Sequence, residues 1–262
     1  MVIGKLKKSV YILASLFTCG NIICGCWAII LLIDGSFSKA AWFIMLAVVF
    51  DMVDGRVARI TKTTSDFGVQ LDSLSDLVSF GVAPAIMMYR LILGAAGKIG
   101  IAVTVLFVVC SAWRLARFNV MAGKGVSQDV FLGLPTPASA GLLGSFVLSY
   151  ELFIAKYSSF SFFVTMPFLM KNTPMLLNIM FVVMVALSLL MVLNIPYASF
   201  KKLKFSRYKI FGFLVLIVLF ACTVFAFAYV QSIIFILFFL YVLSGLFVYI
   251  GVKSREILKK FI

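Results

Sequence analysis

The sequence predicts an all-α polytopic membrane protein with about eight transmembrane helices. The chain has 262 residues, of which 64% are hydrophobic and only 12% are charged, and its mean hydropathy is +1.17. Soluble globular domains do not have this composition. Apolar runs of about 20 residues, the length that crosses a bilayer as a helix, follow one another along the whole chain. These observations exclude a water-soluble fold.

The apolar runs divide the chain into a core of six helices and a C-terminal pair. The first run follows Lys7 and Lys8 without a small-residue cleavage site, so we expect a helix and not a cleaved signal peptide. The last two runs carry almost no strongly polar groups, which is typical of a hairpin added for packing or dimer contacts. The core covers 1–205, and the hairpin with its basic tail covers 206–262. The predicted spans are 9–33, 38–58, 68–93, 97–119, 132–155, 174–195, 209–229 and 232–252.

Positive charge is distributed unevenly between the two ends of the predicted helices. Of the 23 Lys and Arg residues, all but five fall on the side that holds both termini in an even-helix arrangement. The positive-inside rule places that side in the cytoplasm. The cations stand in small juxtamembrane groups, so the formal charge of +14 indicates anionic lipid headgroups and not nucleic acid as the partner. The five exceptions are Lys39, Arg90, Lys98, Lys156 and Lys171.

The cysteines and the longest predicted loop suggest no chemistry. All five Cys lie inside predicted spans without metal-ligand spacing, so we expect buried, reduced thiols. The loop 156–173 is rich in Phe, and we expect it in the outer membrane interface.

The segment 51–76 is the most unusual one for a membrane chain, because it holds five of the nine acidic residues. A charge at membrane depth costs roughly 2.5 to 3.5 kcal/mol unless it is compensated. Helical periodicity places Asp51 and Asp54 on one face of the second helix, and Asp72 and Asp76 on one face of the third. Two carboxylates on each of two adjoining helices can therefore converge.

Convergent carboxylates in a chain without His suit Mg²⁺, Mn²⁺ or Ca²⁺ and do not suit Zn²⁺ or copper. Gly55 and Ala58 leave little bulk beside the acids, so a phosphorylated ligand can lie against the backbone there, and Arg59 can hold a phosphate. A chance cluster of loop acids is one competing interpretation. The cation pathway of a transporter is another, although repeated halves with acids near the bilayer midplane are typical of transporters.

The spacing within this segment is Asp54-Gly55-x2-Ala58-Arg59-x8-Gly68-x3-Asp72-x3-Asp76, with Asp51 three residues upstream. This pattern resembles the signature of the CDP-alcohol phosphatidyltransferase family at every fixed position. The resemblance implies transfer of a phosphatidyl group from CDP-diacylglycerol to an alcohol, with CMP as the second product. It implies that the four aspartates Asp51, Asp54, Asp72 and Asp76 bind divalent metal, and that Asp76 is also the catalytic general base.

The resemblance also implies a set of contacts to CDP-diacylglycerol. Thr18, Asn21 and Gly25 form a polar stripe on the first helix, which in this family lines the active site. Hydrogen bonding between helices is the alternative explanation of the stripe. The residues expected to contact CDP-diacylglycerol are Thr18, Asn21, Gly55, Ala58, Arg59, Ser65 and Gly68.

Three further segments resemble the branch of the family that uses serine as the acceptor. Arg-Leu-Ala-Arg-Phe-Asn closes the fourth helix, 133–141 contains Gly-Leu-Pro-x-Pro-Ala-x-Ala-Gly, and 196–201 contains Pro-Tyr-x-Ser-Phe-Lys. The resemblance implies L-serine as the acceptor, while glycerol 3-phosphate and an inositol phosphate remain alternatives. The positive-inside bias alone is the other explanation of the two arginines at the end of the fourth helix. A homodimer in the cytoplasmic membrane is expected, and the residues expected to bind serine are Arg114, Arg117, Asn119 and Lys201.

Overall fold

The computed structural model describes residues 2–61, 66–123, 130–156, 173–198 and 231–245. Helices dominate this part of the chain, with one short pair of antiparallel strands, β1 (Val130–Leu132) and β2 (Pro196–Ala198). The helices are α1 (Val2–Ile33), α2 (Phe37–Thr61), α3 (Asp66–Asp76), α4 (Ala83–Leu91), α5 (Lys98–Gly123), α6 (Thr136–Lys156), α7 (Thr173–Val192) and α8 (Gln231–Gly245).

The helical membrane fold predicted from the sequence is confirmed in its coarse form. Within the described residues, three helical stretches are long and apolar enough to cross a membrane: Ser15–Ile33, Phe67–Leu91 and Lys98–Met121. Shorter apolar helices cover Asn178–Val192 and Gln231–Gly245. The number of eight spans stays a prediction. The predicted span 209–229 and the loop residues 157–172 lie outside the described residues.

The third predicted span changes its winding halfway along. α3 passes into a π-helix at Leu77–Val82, which continues as α4. Pro84 lies in the first turn of α4, where a helix tolerates the missing N–H. This π-helical segment, called the π-turn below, is wound more widely than an α-helix, and such turns are frequent at functional sites.

Small residues allow the first two helices to pack closely. α1 and α2 form the most extensive helix pair, α2 also packs on α6, and α5 packs on α7. Ala28 on α1 and Ala40, Ala41 and Ala47 on α2 are buried in this core, and close approach at such residues is typical of membrane helices. Gly35, with φ +76°, makes the turn between α1 and α2, because only glycine adopts this conformation without strain.

The burial predicted for the cysteines is wrong for two of them. Cys24 and Cys110 are buried as expected, but Cys19 and Cys26 are exposed. Both lie on the outward face of α1, since Ile23 and Trp27 on the same helix are also more than half exposed. A thiol tolerates an apolar environment such as lipid, so a cysteine within a membrane span need not be buried inside the protein.

The strand pair closes the end of the bundle where α5 and α7 finish. Phe131 pairs with Tyr197 in an antiparallel register. Gly133, with φ +87°, then turns the chain into α6, and its N–H donates to the carbonyl of Ile195 at 2.9 Å. This ribbon joins the start of α6 to the chain that follows α7.

Candidate active site

α2 and α3 bring three carboxylates together at one end of the bundle. Asp51, Asp72 and Asp76 each offer one oxygen, and these oxygens lie within 4.8 Å of one another. Asp76 is buried and the other two are half-buried. Carboxylates this close repel one another strongly unless a cation lies among them. The sequence prediction that acids of two helices converge is confirmed for these three.

Buried polar atoms without a hydrogen-bond partner lie on one of the three acids and on residues next to them. Within the described residues these atoms include Asp72 Oδ1 and Ser75 Oγ on α3 and Asn21 Oδ1 on α1. Such atoms are rare in folded proteins and usually have an ion, a water or a ligand as partner. All three are oxygens, the ligand type that hard divalent cations prefer. The residues present therefore fit a divalent metal ion.

The polar stripe of α1 faces the acids and orients two of them. Thr18 Oγ1 donates a hydrogen bond to Asp54 Oδ2 at 3.0 Å, and Asn21 Nδ2 donates to Asp76 Oδ1 at 3.0 Å. Thr18 and Asn21 are both buried. Each side chain therefore fixes the plane of one carboxylate.

A close approach between α1 and the π-turn holds Asn21 in place. Ser79 Oγ donates to the carbonyl oxygen of Asn21 at 2.9 Å. A Cβ on Gly25 would collide with Ser79 Oγ and would lie 2.9 Å from Ser79 Cα. Gly25, the third member of the stripe, is therefore needed for the contact between the two helices.

Asp54 lies next to the three-acid cluster without being one of its members. Its side chain is buried and interacts electrostatically with Asp72. One of its oxygens accepts the bond from Thr18. The role of Asp54 as a fourth metal ligand stays a prediction.

Arg114 is buried on α5 beside the acids. Its guanidinium lies near Asp76 and Asp51 and interacts electrostatically with both carboxylates. Arg114 Nη1 donates to Thr136 Oγ1 at 3.0 Å, and the guanidinium carbon lies 6.0 Å from the centre of the Phe118 ring. Arg114 Nε is buried without a hydrogen-bond partner in the described part of the chain. The site therefore contains a fixed cation with an unsatisfied donor.

Asn119 packs against α3 next to the acid cluster. Its Nδ2 donates to Ser73 Oγ at 2.8 Å, and Ser73 Oγ donates to the carbonyl of Val69 at 3.1 Å. Asn119 Oδ1 is buried and has no hydrogen-bond partner among the described residues. Because Ser73 follows Asp72 in the chain, Asn119 is held against the helix that carries Asp72 and Asp76.

Arg117 points to the end of α7. Its Nη1 donates to the carbonyl of Val192 at 2.6 Å and to Asn194 Oδ1 at 2.9 Å, and its Nη2 donates to the carbonyl of Met191 at 3.3 Å. Basic side chains stabilise helix C-termini in this way. The serine-binding role of Arg117 stays a prediction.

The remaining predicted residues are only partly described. Gly55 and Gly68 are half-buried near the facing ends of α2 and α3. Ala58 and Arg59 belong to α2, but their side chains are outside the described part of the structure, as are Ser65 and Lys201 altogether. Their proposed contacts to CDP-diacylglycerol or serine stay predictions.

Sequence reasoning missed several residues that hold the site, among them Thr136 and Ser73. Thr136 binds Arg114 and Ser73 binds Asn119, over separations of 22 and 46 residues along the chain. For Thr136 the sequence did contain a signal, since it stands between the two prolines of segment 133–141. Ser73 has no comparable signal.

The geometry agrees with the comparison of this chain with known families. Residues 11–170, more than half of the chain, match the CDP-alcohol phosphatidyltransferase family. The chain therefore belongs to the CDP-alcohol phosphatidyltransferase family.

Three individual proteins illustrate which members of the family this chain is similar to. A CDP-diacylglycerol–serine O-phosphatidyltransferase of Helicobacter pylori is 39% identical over 215 residues, which cover 82% of this chain and 82% of the relative. A protein of the same name from Methanocaldococcus jannaschii is 47% identical over 126 residues, 48% of this chain and 55% of the relative. An archaetidylserine synthase of Methanothermobacter thermautotrophicus is 42% identical over 151 residues, 57% of this chain and 63% of the relative.

Proposed function

We propose that this protein transfers the phosphatidyl group of CDP-diacylglycerol to L-serine, giving phosphatidylserine and CMP. The observation that carries the proposal is the buried Arg114, which lies beside the three clustered carboxylates. Family membership supports the transfer chemistry. The names of the relatives that act on serine support the acceptor.

Asp51, Asp72 and Asp76 would hold a divalent metal ion, with Asp54 as a fourth ligand. Mg²⁺ or Mn²⁺ is the proposed ion, and Ca²⁺ is the remaining alternative. When bound, the metal supplies positive charge that neutralises the diphosphate and favours the departure of CMP. Thr18 and Asn21 act on this site through the carboxylates they orient.

Asp76 is the proposed general base. Asn21 fixes one oxygen of its carboxylate at 3.0 Å, which leaves the second oxygen to accept the proton of the serine hydroxyl. The hydroxyl oxygen forms a bond to the phosphorus next to diacylglycerol, and the bond between that phosphorus and the CMP oxygen breaks. CMP leaves with the electron pair, and the proton stays on Asp76.

Arg114 and Asn119 are the proposed contacts for the acceptor. A guanidinium binds a carboxylate through parallel N–H groups, and the unpartnered Nε of Arg114 supports this role. The unpartnered Oδ1 of Asn119 can accept a hydrogen bond from the serine ammonium. Arg117 and Lys201 remain further candidates from the sequence.

The nucleotide lipid would lie along the facing ends of α2 and α3. Gly55, Ala58 and Gly68 would leave room for it, and Arg59 and Ser65 would contact its phosphates. We place this end at the cytoplasmic face of the cytoplasmic membrane, because most cations of the chain lie on the same side. Anionic lipids and a second copy of the chain are the proposed neighbours there.

Other acceptors give the strongest alternative. Glycerol 3-phosphate and an inositol phosphate also need a cation such as Arg114, and the family as a whole does not exclude them. A transporter is disfavoured for two reasons. The acids form one cluster, and the chain belongs to a family of transferases.

One assay tests this function. Purified protein in detergent is given CDP-diacylglycerol and each candidate acceptor in turn, and CMP release is measured. We expect release only with L-serine, loss of release with a chelator, and recovery with Mg²⁺ or Mn²⁺, since the clustered acids need a cation. CMP release with another acceptor alone, or full activity in excess chelator, would reject the proposal.

Two variants make the assay specific for the acid cluster. Asp72→Asn removes one carboxylate of the cluster and should abolish CMP release. Asp34→Asn is the matched control, because Asp34 is exposed in the turn between α1 and α2 and should behave like the unaltered protein.

A further inference from the structure

Two hydrogen bonds in series join α5 to α3 next to the clustered acids. Asn119 Nδ2 on α5 donates to Ser73 Oγ on α3 at 2.8 Å. Ser73 Oγ in turn donates to the carbonyl of Val69 at 3.1 Å, one helical turn earlier. Ser73 stands between Asp72 and Asp76 in the chain but carries no charge, so its contribution to the site is the direction of these two bonds.

The bond to Val69 decides what Ser73 offers to Asn119. A serine hydroxyl has one proton to donate and two lone pairs that accept. Within a helix, such a hydroxyl can donate its proton to the carbonyl four residues earlier, as Ser73 does here. Toward Asn119 the hydroxyl can therefore only accept. For this reason the amide of Asn119 turns its NH2 group, and not its oxygen, to Ser73.

The amide oxygen of Asn119 is left as an acceptor. The NH2 group and the oxygen are the two branches of one planar amide, so fixing the first on Ser73 also fixes the direction of the second. Asn119 Oδ1 is buried and has no hydrogen-bond partner within the described ranges. A buried acceptor that lacks a donor costs free energy. This oxygen therefore suits a ligand group that donates a hydrogen bond and does not suit a phosphate oxygen.

Ser73 also connects this amide to the acid cluster. Residues three apart on a helix are neighbours, with about 5 to 6 Å between their Cβ atoms, so Ser73 and Asp76 adjoin each other on α3. Asp76 is a member of the acid cluster and is the proposed general base. Asn119 is therefore fixed to the helical neighbour of the base, where a small acceptor that reacts at Asp76 would lie.

We infer that Ser73 is a positioning residue that fixes the Asn119 amide with its oxygen free for the acceptor, and that it thereby favours acceptors with a hydrogen-bond donor such as the ammonium of serine. The inference rests on the proposed function, in which Asn119 contacts the acceptor, and deepens it. Ser73 acts through Asn119 and touches no reacting atom. Without the Ser73 hydroxyl the amide can turn over and present its NH2 group, which repels an ammonium. An anionic acceptor such as glycerol 3-phosphate has no ammonium and gains less from the free oxygen.

Ser73→Ala tests this inference, because it removes the hydroxyl and keeps α3 intact, alanine being the strongest helix former. We expect the KM for serine to rise about two- to tenfold, as for the loss of one neutral hydrogen bond, with kcat and the KM for CDP-diacylglycerol within about twofold. Ser73→Thr keeps a hydroxyl for the carbonyl of Val69 and should restore the KM for serine.

Ser188→Ala is the matched control on α7. Ser188 Oγ also donates to the carbonyl four residues earlier, that of Met184 at 2.7 Å. The same atoms are therefore removed from the same kind of helical bond. The KM for serine should stay unchanged in this variant.

A double-mutant cycle separates positioning from a general effect on α3. In an Asn119→Ala background, Ser73→Ala should cause no further rise in the KM for serine, because Ser73 acts only through the amide. Three results would each overturn the inference while the serine activity stands: an unchanged KM in Ser73→Ala, an equal rise in the Asn119→Ala background, or a KM as high in Ser73→Thr as in Ser73→Ala.

Failure of the proposed function has a different result. An unaltered protein that ignores serine and uses another acceptor would reject that function. The cycle is then measured with the working acceptor. A rise in its KM that disappears in the Asn119→Ala background supports the positioning role of Ser73, and an unchanged KM overturns it.

Discussion

Arg114 and Arg117 stand three residues apart on α5, yet their guanidinium groups lie in different surroundings. Arg114 faces Asp76, whereas Arg117 binds the carbonyls that end α7. Arg114→Lys keeps the charge and removes the planar fork. We expect it to raise the KM for serine about ten- to a hundredfold, as for the loss of a charged hydrogen bond of about 1.5 to 3 kcal/mol, with little change in the KM for CDP-diacylglycerol.

Arg117→Lys is the matched comparison. A lysine has one nitrogen where the guanidinium uses two to bind Val192, Asn194 and Met191, so we expect a lower thermal stability in detergent and a nearly unchanged KM for serine. If Arg117→Lys raises the KM for serine at normal stability, Arg117 binds the acceptor directly, as the sequence predicted. If neither substitution changes the KM for serine and both raise the KM for CDP-diacylglycerol, the two arginines bind the diphosphate.

The acidic residues could be predicted as site residues, because a carboxylate in an apolar membrane segment costs free energy unless something compensates its charge. Helical spacing was enough to place Asp72 and Asp76 on one face, and the polar stripe with Thr18 and Asn21 was visible for the same reason. The partners of these residues were not predictable. Nothing in the local sequence indicates that Asn21 binds Asp76, 55 residues away, because only the packing of α1 on α3 and the π-turn decides it.

The contact between α1 and the π-turn is the feature of the helix packing on which the site depends most directly. Gly25→Ala adds a methyl group that collides with Ser79 and lies 2.9 Å from its Cα, so the two helices must separate. Asn21, one turn away on α1, would then move from Asp76. Because displacements of about 1 Å at a site can cost up to about a hundredfold in rate, we expect kcat to fall at least about tenfold.

Gly20→Ala provides the control on the same helix. Its Cβ would lie 3.4 Å from the ring of Phe50, an ordinary contact, so kcat should change little. Both variants are measured for CMP release and for thermal unfolding. A normal kcat in Gly25→Ala would show that the site does not depend on this contact.

The helices were predicted better than the irregular parts. Long apolar runs define the positions of α1, α2 and α5 almost by themselves. The π-turn at Leu77–Val82 and the ribbon of β1 with β2 escaped prediction. Their hydrogen bonds depend on neighbours from distant segments, as in the pairing of Phe131 with Tyr197. The packing of α8 on the core depends on distant segments in the same way, because Gly141 and Gly245 leave room for the rings of Phe238 and Tyr197.

The two ends of the whole helix bundle differ in their chemistry. One end holds the acid cluster with Arg114 and Asn119. The other holds the turn after α1, where Arg90 Nη2 donates to the carbonyl of Ile33 at 3.4 Å. The distribution of Lys and Arg predicts that the first end faces the cytoplasm, where a soluble acceptor such as serine would have access to it.

Cysteine labelling tests this orientation in a background without the native cysteines, two of which are exposed. Arg56 lies near the acidic end and Lys98 at the opposite end, and both are exposed. Because most cations lie on the side of Arg56, we expect an impermeant thiol reagent to label Arg56→Cys only from the cytoplasmic side and Lys98→Cys only from outside. The reverse pattern would place the nucleotide site outside the cell, away from the cytoplasmic pool of serine, and would contradict the proposed topology.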